Sequence, residues 1–214
     1  MDELELLKKD WKKEDASRYP KLTYNEIYKM ILKKSSSIVK WIFIISILEF
    51  VLWSAISFGL KDAEYNKRFD SYHAENIITP FIVLGYIVLA YFFYKFFMNY
   101  KNISATDNAK VLMENILKTR RTVKQYVGFN LIYLALSSFI ILGIQFNRDE
   151  EMLGYIENAS ANGELLKFYA VTILVTVAAV AILIALILGF YYLIYGILLK
   201  RLNSNYKELK KLEL

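Results

Sequence analysis

The chain has 214 residues, of which 56% are hydrophobic and 16% aromatic, with a net charge of +6 and no cysteine. Without cysteine there are no disulfides, thiolate nucleophiles, iron–sulfur clusters or cysteine-ligated zinc. The charged residues, 22% of the chain, must be concentrated outside the apolar segments.

The first 37 residues are mostly polar and read as two helices around a break. In Asp2–Glu14, Leu4, Leu7 and Trp11 recur at helical spacing and form a narrow apolar stripe with lysines and acids beside it. So short a helix is marginal in water and needs something to lie on, which makes these three residues candidates for docking a soluble partner; the alternative is a membrane surface. Pro20 breaks the pattern, and Thr23 with Glu26 has the spacing of a capping box at the start of a second helix.

Four long apolar stretches follow, at about 38–60, 77–98, 126–146 and 168–199. Each supplies the roughly 20 residues that cross a hydrocarbon core about 30 Å thick. The fold class expected is all-α: a four-helix polytopic membrane protein, with an N-terminal helical arm over residues 1–37, a transmembrane unit over 38–200 and a basic tail over 201–214. The first stretch is too long for a signal-peptide core and reads as an uncleaved anchor.

Orientation follows from charge. Twenty Lys/Arg lie in segments 1–37, 99–125 and 200–214, against five in 61–76 and 147–167, both of which are net acidic. Positive residues favour the cytoplasmic side, so both ends are expected there, in a bacterial inner membrane. The same bias assigns the basic residues to anionic lipid rather than to nucleic acid.

Between the second and third stretches, Ser104–Lys124 reads as a helix with Val111, Leu112, Ile116 and Val123 on one face. No Pro or Gly lies between Tyr86 and Val127, so spans two and three are expected to continue beyond the membrane as a helical hairpin. Glu150–Asn158 reads as a short helix. Tyr191, Tyr192 and Tyr195 are expected to mark the inner interface, and the aromatic run from Tyr91 to Tyr100 an interfacial belt.

Glu49 is the acid inside a span. About ten residues into the first stretch, it is expected near the midplane, facing the bundle, because a charge there costs at least ~2.5 kcal/mol without a partner. Ser46, Trp53 and Ser57 share its face, and Asn130, Ser137, Ser138 and Gln145 form a matching seam on the third span. The two readings are a proton or cation site and an interhelical hydrogen bond. Ala181, Ala185, Gly189 and Gly196 form a small-residue stripe suited to close helix packing, within the chain or across a homodimer. A single histidine, His73, cannot build a metal site, and the glycines form no phosphate loop, so no cofactor is expected.

The segments LELLKKDWKK, YNEIYKMILKKSSSIVKWIFIISILEF and DNAKVLMENILKTRRTVK resemble an uncharacterised family of small four-span proteins from Bacteroidetes-type bacteria. Some of its members carry a label as β-carotene 15,15'-monooxygenases. Such oxygenases hold iron with four histidines, and this chain has one. The family also resembles one encoded near sigma factors of the extracytoplasmic-function type. The function expected is that of a non-enzymatic regulatory or scaffold protein whose Leu4, Leu7 and Trp11 stripe holds a soluble cytoplasmic partner, which the resemblance implies is sigma-factor-like. The alternative is a small transporter or channel subunit using Glu49.

Overall fold

The computed structural model describes residues 22–60, 72–106 and 108–212. Leu4, Leu7 and Trp11 therefore lie outside the described residues. Helix α1 is Tyr24–Gly59, α2 Glu75–Ser104, α3 Ala109–Arg148 and α4 Glu150–Ala161. Helix α5, Leu165–Tyr191, passes through a π-helical turn at Tyr192–Gly196 into α6, Ile197–Leu212. Four helices, α1, α2, α3 and the continuous α5–α6, are long and apolar enough to cross a membrane. The all-α class and the four spans read from the sequence are what the structure has.

The helix ends follow local chemistry. Thr23 Oγ1 accepts the Glu26 amide at 3.4 Å and Glu26 accepts the Thr23 amide at 2.8 Å, closing the expected capping box. Asn108 Oδ1 accepts the Lys110 amide at 2.8 Å and starts α3. The helix expected from Ser104 thus begins at Ala109, after a turn, and runs without a break into the third span. Asp149 Oδ1 caps α4 through the Met152 amide at 2.9 Å. Tyr72 also donates to the Asp149 carboxylate, and Arg148 donates to the Tyr72 and His73 carbonyls, tying the start of α2 to the end of α3. His73 adopts a φ of 48°, in the left-handed region.

These helices are longer than a bilayer needs. At 1.5 Å per residue, the 40 residues of α3 reach about 60 Å. The excess lies at the basic end, where it packs. Tyr28, Ile31, Val39, Ile103, Leu112 and Ile116 form a core with Leu202 and Leu209 of α6. Polar pairs fix its register: Asn205 donates to Ser35 at 2.9 Å, Asn99 to Thr122 at 3.1 Å and Arg120 to Asn203 at 2.8 Å. Of the predicted apolar face, Leu112, Ile116 and Val123 are buried while Val111 is exposed. Residues 24–37 and 201–212 belong to this bundle, so packing runs through residues 37 and 200 without a break.

The apolar half looks different. No residue in the most apolar window of the last helix is buried, and Leu174 and Leu186 are each 68% exposed. Side chains apolar all round suit hydrocarbon, which demands no burial.

Candidate functional site

Where the packed end meets the apolar half, three helices converge on Glu49. Helix α1 carries the carboxylate, α3 carries Tyr126, α5 ends at Tyr191 and the π-helical turn carries Tyr195. Tyr126 donates to Glu49 Oε2 at 3.0 Å and Tyr195 donates to the same oxygen at 3.2 Å. Tyr191 donates to Oε1. Asn130, one turn beyond Tyr126, donates to the Tyr191 hydroxyl at 3.1 Å.

Aromatic packing holds these phenols in place. The Tyr126 ring meets those of Phe92 and Phe96 edge-on, at 5.6 and 5.4 Å between centroids. Tyr191 and Tyr195 lie 5.7 Å apart. Spaced four residues apart, they share a helix face, and the wide turn between them sits at the junction of α5 with α6. Gly196 packs there: a Cβ on it would meet the Tyr192 ring of its own helix at 3.3 Å. Wide turns of this kind recur at functional sites.

The arrangement satisfies both carboxylate oxygens with hydroxyl donors. Three hydroxyl donors on one carboxyl group offset the cost of taking it out of water. Chemically, this is a fastener joining α1, α3 and α5–α6. Among the described residues, no group of three or more His, Asp or Glu could hold a metal ion.

Several sequence-based expectations change here. Glu49 faces the bundle as expected, but level with Tyr126 and Asn130 rather than with Ser137 and Ser138. Lys124 precedes Tyr126 by two residues, and Lys95 lies between Phe92 and Phe96, so lysines neighbour the cluster on both α2 and α3. Ser137 and Ser138 both donate to the Leu134 carbonyl, at 2.8 and 2.9 Å, and Ser46 donates to the Phe43 carbonyl at 2.8 Å. Of the expected network, only Asn130 joins Glu49, through Tyr191. Tyr191 and Tyr195 are buried on the carboxylate, whereas Tyr192, 77% exposed, points outward as an interfacial tyrosine would. Ala181, Ala185 and Gly189 are exposed, and a Cβ on Gly189 would meet nothing within 4 Å, so among the described residues this stripe packs against no helix.

Beside the cluster, toward the apolar half, a cleft of about 270 Å³ opens between α1, α2 and α3. Gly85 shapes it: a Cβ there would come within 2.7 Å of the Tyr133 ring. Tyr133 stacks on Phe81 with 4.4 Å between centroids and donates to the Phe81 carbonyl at 3.2 Å. The sequence gives no sign of this wall, because its residues lie on separate helices and glycine in a span is common.

No curated protein and no solved structure matches the chain. One family model does, over residues 25–214, which begins at the first turn of α1 and takes in all the described helices. The chain belongs to the family described as a domain of unknown function, DUF8845.

Proposed function

We propose that this chain is a non-enzymatic regulatory or scaffold protein of the bacterial inner membrane. Both its ends lie in the cytoplasm, where it tethers a soluble partner in the manner of membrane-bound anti-sigma factors. The observation that carries this reading is the packed bundle at the basic end. Its core of Ile31, Leu112, Ile116 and Leu209 lies beyond the apolar half, on the helix that residues 1–21 precede in the chain. Those residues carry the Leu4, Leu7 and Trp11 stripe. The twenty-to-five split of basic residues supports the orientation. Glu49 supports the absence of catalysis, since both its oxygens are taken up by tyrosine hydroxyls.

Affinity purification in mild detergent, followed by mass spectrometry, tests the proposal. The full chain should recover a stoichiometric soluble protein. Deletion of residues 1–22 should leave the spans inserted and abolish recovery, and Trp11→Ala should do most of the same damage, as buried aromatics commonly anchor such contacts. An unchanged set of partners, with Trp11 fluorescence shifting blue on anionic vesicles alone, would contradict it.

A transporter or channel subunit is the second reading, favoured by the cleft beside Glu49. It predicts ion flux from the isolated protein, lost in Glu49→Gln. The exposed face at Ala181, Ala185 and Gly189 leaves room for a second copy, which cross-linking of Gly189→Cys would detect.

A further inference from the structure

The cleft between α1, α2 and α3 has walls unlike the rest of the apolar half. Ser46, Ser137, Ser138, Thr172 and Thr176 each donate to a carbonyl of the preceding turn. This is how a hydroxyl in hydrocarbon is ordinarily satisfied. Ser54 and Ser57 line the cleft, one turn apart on α1, and among the described residues neither makes such a bond. An unmade hydrogen bond in lipid costs free energy, so a ligand that supplies acceptors there gains more than it would in water.

The other walls are aromatic. Phe50 and Trp53 come from α1, Tyr86 from α2, and Phe129 and Tyr133 from α3. Tyr133 is held against Phe81, and Phe50 meets the Tyr86 ring edge-on at 6.1 Å, so these faces are preformed rather than collapsed. Asn130 of α3 lines the same cleft, and its amide leads through Tyr191 to Glu49. Its volume, about 270 Å³, exceeds the roughly 150 Å³ apolar cavity that holds one benzene ring. One flat head of one or two rings fits.

We propose that this cleft binds the ring head of a membrane-soluble quinone. The aromatic faces match a planar ring, and the serine hydroxyls of α1 and the Asn130 amide of α3 come from different helices, so donors for the ring oxygens are drawn from more than one wall. An acyl chain would fill the volume but leave Ser54 and Ser57 without acceptors. The inference is one of binding only. It rests on the apolar half lying in a bilayer, and is independent of any soluble partner.

Trp53 is itself a wall of the cleft and can report occupancy. In a W11F/W41F background, Trp53 is the remaining tryptophan, and the protein in lipid nanodiscs can be titrated with a decyl-tailed benzoquinone. The expected result is saturable quenching that decylbenzene, with the same tail and no ring oxygens, neither produces nor competes away. S54A/S57A, with an unchanged melting temperature, should weaken binding about tenfold, as expected for the loss of one to two hydrogen bonds. Three outcomes would overturn the proposal: quenching that rises linearly without saturation, competition by decylbenzene, or equal affinity in S54A/S57A.

Discussion

The two halves of the last long helix obey different rules. From Ile197 to Leu212 it is amphipathic, burying Leu202, Asn205 and Leu209 against α1 and α3. From Leu165 to Phe190 it is mostly apolar and has no fully buried residue, with one partly covered face at Phe168, Thr172, Thr176, Val180, Ile184 and Ile187. The change falls at the π-helical turn, where Tyr191 and Tyr195 grip Glu49. One continuous helix thus passes between two solvents. In water, stability comes from removing an apolar stripe from contact with solvent; in hydrocarbon that drive is absent, and packing must rely on hydrogen bonds and close fit. The Glu49 cluster supplies such bonds at the boundary, where the last helix would otherwise be held from one side only.

The largest effects should therefore come from the packed end. Leu112→Ala, at a fully buried position, should cost about 2–5 kcal/mol in thermal or denaturant unfolding in detergent. The same truncation at Leu186, 68% exposed, should change stability by less than about 0.5 kcal/mol. Equal losses at the two positions would break the comparison.

Next in size is the fastener itself. Glu49→Ala leaves three tyrosine hydroxyls facing an empty site and should cost about 2–3 kcal/mol, since each of the three hydrogen bonds is worth about 0.5–1.5 kcal/mol. Glu49→Gln keeps an acceptor and fills the space, and should lose less than half as much. A loss in Glu49→Gln as large as in Glu49→Ala would mean that the charge, rather than the hydrogen bonding, holds the helices together.

Much of this fold was legible in the sequence, because a run of about 20 apolar residues and a capping box are local signals. Glu49 was legible as a residue that must face inward, by its cost in lipid. Its partners were not. Tyr126 and Tyr191 lie 77 and 142 residues away, and tyrosine near a basic boundary reads equally well as an interfacial anchor. What decides between them is register, and register is set by pairs such as Asn205 with Ser35, whose separation of 170 residues no local pattern encodes. The packing of the last helix was missed for a different reason: residues 201–212 have a basic composition that reads as a tail, although Leu202, Tyr206, Leu209 and Leu212 lie at helical spacing and pack on the core.

The smallest effect should be at the outermost turn of the packed end. Thr23→Ala removes the capping hydroxyl from α1 and should cost about 0.5–1 kcal/mol, seen as faster amide exchange over the first turns of α1 with little change in global melting.

The comparison itself can be read along one helix. With no native cysteine, single cysteines carrying nitroxide labels can be placed at successive positions from 171 to 210 and measured in nanodiscs with oxygen and with a water-soluble nickel relaxant. High oxygen access is expected from Val171 to about Phe190, lowered only on the partly covered face at Thr172, Thr176, Val180, Ile184 and Ile187. A crossover to the nickel reagent should follow, within about two turns of Tyr195, and then protection recurring every 3.6 residues at Leu202, Asn205 and Leu209. Nickel access throughout the outer half, or oxygen access continuing undiminished through Leu209, would contradict the claim that one helix passes from lipid into a packed aqueous bundle.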